Sequence, residues 1–186
     1  SDLLNAIAEV LVSLPFDQEI KNILERLRRY DDPQLVMTSM VHLVKNNVPV
    51  DQAAIDKVAS DPALRLTLYE QLRALGKDKM IRPRYLTARM MAESDFYEYM
   101  EMEAGRPSAV ELQKKQEVVH NGVKMVIYPI RYRYEEGDDW YVGIAGPYQV
   151  NAKVFGRGEW TSSTSEKFDA VRLQSVIDSF QSLTDD

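Results

Sequence analysis

The sequence has no cysteine and only two histidines, His42 and His120. Without cysteine there is no disulfide framework, no thiolate nucleophile and no cysteine-ligated zinc site. Neither histidine has another histidine three or four residues away, so the sequence lacks the ligand spacing of a catalytic metal site and the residue set of a histidine-dependent triad. We therefore predict no catalytic residue, no metal ion and no cofactor.

The chain also lacks long apolar segments and an excess of positive charge. No run of about 18 apolar residues exists to cross a bilayer, and no signal peptide stands at the N-terminus. The net charge is -6, and acidic residues outnumber basic ones in both halves. We predict no membrane span and no nucleic-acid partner. The absence of cysteine and of a signal peptide favours a cytoplasmic location. A start at Ser-Asp rather than methionine favours an origin as part of a larger protein.

Apolar residues recur at spacings of three and four from residue 2 to about residue 104. This periodicity, interrupted by prolines, predicts a series of about six helices. Four aspartates stand immediately before the periodic segments, as helix N-caps do: Asp17, Asp32, Asp51 and Asp61. Prolines at 33 and 62 follow two of them, at a position where the missing N–H costs nothing.

Two of these helical segments align with each other. "DPQLVMTSMVHLVKNN" and "DPALRLTLYEQLRALG" start 29 positions apart, and a shorter helical segment precedes each. The aligned apolar positions are Leu35 with Leu64 and Leu43 with Leu72. Residues 17–103 therefore resemble HEAT-like or armadillo-like α-solenoid repeats, a resemblance that covers under half of the chain. It implies a scaffold that presents a surface to a partner, and it predicts that the four leucines are buried.

The segment from Pro83 to Gly105 carries methionine and aromatic side chains together. Such a stripe can line a promiscuous binding groove, because methionine adapts its shape. We prefer the interpretation of a helix that is apolar on more than one face and packed between other elements. After 105–108 the apolar period changes to two, which predicts a domain boundary. The expected fold is α+β: a helical-repeat domain at 1–105, then a small antiparallel sheet with a C-terminal helix at 106–186.

The segment "YRYEEGDDWYVGIAGPY" is typical of either a metal loop or a strand turn. Apolar residues alternate on both sides of the acidic stretch, including Tyr132 before it and Trp140 after it. If the two apolar rows share a face, a three-residue loop at 135–137, with Gly137 in the left-handed conformation, sets Tyr132 opposite Trp140. Arg133 then lies beside Asp139. Few carboxylates remain to converge on a cation, so the sequence favours a turn.

Three further segments of the second half predict two turns and a C-terminal helix. The turn at 121–122 leaves two registers open: a two-residue loop pairs His120 with Val123, and a three-residue loop pairs Val119 with Val123. "FGRGEW" predicts a tight turn, since it lacks the ending of a phosphate loop. Ser165 and Glu166 are expected to open a C-terminal helix that covers one face of the sheet with an apolar stripe: Phe168, Val171, Leu173, Val176, Ile177 and Phe180.

No segment offers a catalytic constellation, so we predict a non-catalytic protein-interaction or scaffold module. Its partner would be another protein or another domain of the parent chain. Arg131, Arg133 and Tyr141 are the predicted binding residues, because the reverse side of the hairpin would carry these interface-favoured residue types. The alternative is a small-ligand-binding or enzymatic domain with a pocket between sheet and helix, which would use acidic residues such as Glu135 or Asp139.

Overall fold

The computed structural model describes residues 2–120, 122–150, 155–169 and 173–179. The fold is α+β as predicted, with the helices mostly N-terminal and the antiparallel sheet C-terminal. The chain divides into two compact units, Ser1–Thr87 and Ala88–Asp186. This division falls earlier than the expected boundary after residue 105. The helix that precedes residue 105 packs on the sheet, so it belongs with the second unit.

The first unit is entirely helical in its regular structure. Its five α-helices are α1 (Asp2–Ser13), α2 (Gln18–Leu27), α3 (Pro33–Lys45), α4 (Gln52–Ser60) and α5 (Pro62–Ala74). Two short 3-10 helices follow at Asp78–Met80 and Pro83–Tyr85. In the part of the chain that is described, no helix is long and apolar enough to cross a membrane.

The four predicted aspartate caps are all confirmed. Asp17 accepts from the N–H of Ile20, and Asp51 accepts from that of Ala54. Asp32 and Asp61 cap the two helices that begin with proline. Each cap supplies an acceptor for backbone N–H groups that have no partner within the helix, which stabilises a helix by about 1 kcal/mol.

The four aligned leucines are buried as predicted. Leu35, Leu43 and Leu72 have no exposed surface, and Leu64 is 9% exposed. Leu35 and Leu43 belong to one apolar cluster with Leu24 of α2 and Ala8 of α1. The sequence pattern therefore identified core positions, while the relation to solenoid repeats stays a prediction.

We expect Leu35→Ala to lower the free energy of unfolding by about 2 to 5 kcal/mol, because a fully buried leucine leaves a cavity. The matched control is Leu3→Ala in α1, where the leucine is 74% exposed. Both tryptophans lie in the second unit, so the unfolding of the helical unit is best followed by far-UV circular dichroism. A loss under about 1 kcal/mol for Leu35→Ala and its three counterparts would contradict the assignment of these leucines to the core.

The second unit begins with α6 (Ala88–Glu103) and continues as a five-stranded antiparallel sheet. The strands are β1 (Ala109–Leu112), β2 (Gln116–His120), β3 (Val123–Arg133), β4 (Tyr141–Gln149) and β5 (Ser162–Lys167). The order is β1-β3-β4-β5, and β2 also pairs with β3. Strands β1 and β2 pair with opposite ends of β3. Between β2 and β3, His120 pairs with Val123, which selects the two-residue loop; Asn121 lies outside the described residues.

The predicted register of the β3–β4 hairpin is wrong by one residue. Tyr132 lies opposite Tyr141, not opposite Trp140, and Arg131 lies opposite Val142. The prediction assumed that the apolar rows of both strands face the same side. A slip of one residue moves every side chain to the other face, so that assumption decided the whole register.

The assumption fails because both faces of the sheet are buried. On one face, side chains of β3 pack against α6, in a cluster that includes Tyr128, Ile130, Tyr132, Ala92, Phe96 and Met100. On the other face, Val118, Ile127 and Ile144 pack with Ile177 of the helical segment 173–179. The sheet is thus the middle of three layers. The expected two-layer core with one C-terminal helix accounts for only one of its faces.

The start of the C-terminal helix also differs from the prediction. Ser165 and Glu166 lie in β5 and not at the beginning of a helix, and the described helical segment is 173–179. Of the predicted apolar stripe, Leu173, Val176 and Ile177 pack on the sheet. Val171 and Phe180 lie outside the described residues.

Candidate functional site

The acidic hairpin loop is organised as a turn. The N–H of Glu135 donates to Asp138 Oδ2 at 3.0 Å, and Gly137 has a φ of 96°, the left-handed conformation that the sequence predicted for it. Asp139 does not pair with Arg133 as expected; its Oδ2 lies 2.5 Å from Lys167 Nζ on β5. Within the described ranges, no three acidic or histidine side chains group as a metal site.

Arg131 and Arg133 share a face of the sheet and stack on the same indole. The Cζ atoms of Arg131 and Arg133 lie 4.6 and 4.9 Å from the centroid of the Trp140 ring. Arg131 also donates from Nε to Glu111 Oε2 at 2.8 Å. A cation over an indole ring contributes about 0.5 to 1 kcal/mol at an exposed site. The two guanidinium groups and the ring therefore form one defined surface feature, with the charge of Arg131 balanced by Glu111.

Tyr141 does not belong to this feature. Because it lies opposite Tyr132, its ring packs on the α6 side of the sheet, 5.7 Å from the ring of Tyr132. The three predicted binding residues are therefore not brought together. The error follows directly from the register, which would have placed Tyr141 beside Arg131.

His42 occupies a packed position. It is buried in α3, and its ring lies 5.5 Å from that of Phe16. Burial, with a smaller effect from the charge of Lys45, lowers the pKa of His42 below its ordinary value. At neutral pH this histidine is therefore an uncharged core residue. The side chain of His120 lies outside the described residues.

Two buried carboxylates of α6 organise the segment that precedes β5. Asp95 Oδ2 accepts from Tyr148 Oη at 2.6 Å, from the Gly158 N–H at 2.9 Å and from Thr161 Oγ1 at 2.6 Å. Glu98 lies one turn further along the helix and pairs with Arg157, with 2.6 Å between Oε2 and Nη2. No sequence spacing indicated this network, because its partners are 53 to 66 residues from Asp95.

The tyrosines beside these groups stay protonated at neutral pH. Burial raises the pKa of Tyr132 to about 12, and its hydroxyl donates to the carbonyl of Thr164. Burial and the neighbouring Asp95 raise the pKa of Tyr148 well above its usual 10. Both hydroxyl groups act as hydrogen-bond donors to fixed acceptors. Neither phenol is available as a base, because each would have to lose a proton that its surroundings hold.

A cavity of about 420 Å³ lies beside this network within the second unit. Its apolar lining comes from β3, β4 and the segment after β4: Met125, Val126, Tyr128, Pro147, Tyr148 and Phe155. Three charged residues complete the wall: Lys115, Arg157 and Glu159. Among the described residues of the lining, Glu159 is the one carboxylate, so these residues do not provide the convergent carboxylates that would favour an enzymatic pocket.

In the first unit, helix α1 presents apolar side chains on two faces. Its inner face contributes Ala8, Leu4 and Leu11 to the helical core. On its outer side, four large apolar residues remain exposed: Leu3 at 74%, Ile7 at 40%, Val10 at 60% and Leu14 at 46%. Leu3, Ile7 and Val10 lie on α1 and Leu14 directly follows its last residue, and their spacing of four, three and four residues places them in one row.

Comparison with protein-family models, with curated proteins and with solved structures finds no match to this chain. The likeness to α-solenoid repeats therefore rests on the helix pattern alone.

Proposed function

We propose that this chain is a non-catalytic module that binds a helix of another protein or of another domain of its parent chain. The exposed row on α1 carries the proposal. Contiguous exposed apolar side chains mark sites of protein contact, because leaving them in water costs free energy. Since the inner face of α1 is already packed in the core, the outer row is available to a partner.

The spacing of this row supports a helical partner. Apolar residues at alternating intervals of three and four give the seam along which two helices pack side by side. Four positions, Leu3, Ile7, Val10 and Leu14, provide about two heptads of such a seam. The expected occupant is one amphipathic helix laid along α1.

The charge of the first residues supports a partner helix with basic flanks. The first sixteen residues contain Asp2 and Glu9 and no lysine or arginine. A second copy of α1 would bring carboxylates of the same sign together, which is unfavourable. A partner helix with basic residues beside its apolar stripe would complement α1. On the sheet unit, Arg131 and Arg133 with Trp140 are proposed as a second contact, since arginine and tryptophan are favoured at interfaces.

The test is site-specific photo-crosslinking in cells that produce the protein. A photoreactive residue replaces Val10 in α1, and the matched control replaces Gln71, an exposed residue of α5 in the same unit. We expect adducts at position 10 only, joined to a helical segment with basic residues. Val10→Glu, which keeps the helix but places a charge in the row, should abolish the adduct of a photoreactive residue at Leu3.

Three outcomes would contradict the proposal. Equal adducts at positions 10 and 71 would mean that the row has no particular partner. Adducts to a second copy of the chain, or to lipid, would assign the row to another occupant. A purified chain that turned over a substrate and lost that activity on Glu135→Gln or Asp139→Asn would replace the binding module with an enzyme.

A further inference from the structure

The cavity in the second unit has an aromatic wall. The rings of Tyr148 and Phe155 lie 5.0 Å apart, and those of Tyr148 and Tyr128 lie 6.3 Å apart. All three residues line the cavity. A volume of about 420 Å³ falls within the range of small-molecule sites, roughly 300 to 1,000 Å³. Flat apolar groups gain both from area burial and from ring contacts on such a wall.

The wall is fixed in place by the network on α6. The segment that supplies Phe155, Arg157 and Glu159 is tied down by hydrogen bonds to Asp95 and by the pairing of Arg157 with Glu98. The N–H of Trp160 also donates to the carbonyl of Gly146 at 3.0 Å. A ligand therefore meets a preformed wall, and preformed walls lower the entropic cost of binding.

Two glycines, Gly146 in β4 and Gly158 in the segment before β5, allow the backbones of these two segments to lie in direct contact. A Cβ atom built on Gly158 would lie 2.6 Å from Gly146 Cα, so no larger residue fits at that position without displacing the wall. At this point β4 carries one more residue than β3 between successive pairs. Between Val126 and Tyr128 the register with β4 shifts, at the point where Gly146 has a φ of 128°.

The charged side chains of the lining indicate which charge the polar group of a ligand should carry. The guanidinium of Arg157 is paired with Glu98, and Glu159 has an interaction of its own. Lys115 is exposed and makes no hydrogen bond or ion pair with another described residue. A lysine ammonium at the rim of an apolar cavity is a point charge that favours an anion.

We propose that this cavity binds a small organic anion that has a flat apolar body and a carboxylate. The body lies against Tyr128, Tyr148 and Phe155, and the carboxylate faces Lys115. The proposal concerns a site in the sheet unit and does not depend on the contact proposed for α1. The proposal is for binding alone: the hydroxyl of Tyr148 is held by Asp95, and the guanidinium of Arg157 is paired with Glu98.

The test uses three naphthalene probes of nearly equal shape: naphthalene-2-carboxylate, naphthalene-2-carboxamide and 2-naphthylmethylamine. Binding to the full chain is measured by ligand-observed NMR and titration calorimetry. We expect the carboxylate to bind at least tenfold more tightly than the amide, and the amine to bind most weakly. Lys115→Gln should remove the difference between carboxylate and amide. The matched control is Lys114→Gln, one residue away and absent from the lining, which should leave the difference unchanged.

Phe155→Ala should lower the affinity for all three probes by a similar factor, because it removes part of the aromatic wall that all three contact. Equal affinity for carboxylate and amide in the unmodified chain would overturn the proposal, and so would tightest binding of the amine. An equal effect of Lys114→Gln and Lys115→Gln would also overturn it, since the preference would then come from general surface charge. No detectable binding of any probe to a folded chain would overturn it completely.

Discussion

Asp95→Ala is expected to lower the free energy of unfolding of the sheet unit by about 4 to 6 kcal/mol. One carboxylate oxygen accepts from the hydroxyls of Tyr148 and Thr161 and from the N–H of Gly158. Asp95 itself is only 3% exposed, so water cannot readily replace the lost acceptor. A buried donor left without a partner costs about 1 to 3 kcal/mol, and here one buried and two part-buried donors lose their acceptor together.

Smaller substitutions in the same network provide the controls. Tyr148→Phe removes one of three donors and leaves the acceptor satisfied, so its cost should be about 1 to 2 kcal/mol. Asp95→Asn keeps an acceptor oxygen and should fall between these two variants. Both tryptophans, Trp140 and Trp160, belong to the sheet unit, so their fluorescence during urea unfolding follows this unit separately. If Asp95→Ala cost no more than Tyr148→Phe, the carboxylate would not be the centre of the network.

Local features of the helical unit were predictable from sequence because they depend on neighbouring residues. An aspartate before a periodic segment caps a helix through N–H groups two or three residues away, as Asp17 and Asp51 do. Burial of Leu35 and Leu72 follows similarly from the three-four period, which puts apolar residues on one helix face. Neither inference needs knowledge of where distant segments lie.

The register of the hairpin could not be obtained in this way. In a sheet with one buried face, apolar rows must coincide, and the predicted register follows. Here Ile130 faces α6 while Ile144 faces the helical segment 173–179. Whether a second layer covers the sheet depends on α6, which precedes the sheet in the chain and was assigned to the other domain.

The candidate sites show the same division between local and distant information. The exposed row on α1 has a sequence period, but its exposure depends on which face of α1 the rest of the helical unit covers. The cavity depends on contacts between Asp95 and residues more than fifty positions later. A polar residue within the apolar stretch of α6 was the available signal, since a buried aspartate requires donors from elsewhere.

Gly143→Val is expected to cost the sheet unit about 3 to 5 kcal/mol, again measured by tryptophan fluorescence. Gly143 lies in β4 opposite Ile130, on the face that α6 covers. A Cβ at this position would lie 2.5 and 2.6 Å from two ring carbons of Phe96, which has no exposed surface. The ring must leave its site, and displacement of a buried phenylalanine costs about as much as its removal.

A second substitution, at Phe96, tests whether the cost of Gly143→Val is steric or comes from a loss of strand flexibility. Phe96→Leu alone should destabilise the unit by about 1 to 2 kcal/mol through lost packing. Combined with Gly143→Val, it should restore part of the loss, because the smaller side chain makes room for the added methyl groups. The two effects would then be non-additive by about 1 kcal/mol or more, as expected for residues in contact. Strict additivity in the double variant would show that Gly143 is required by the backbone and not by the ring of Phe96.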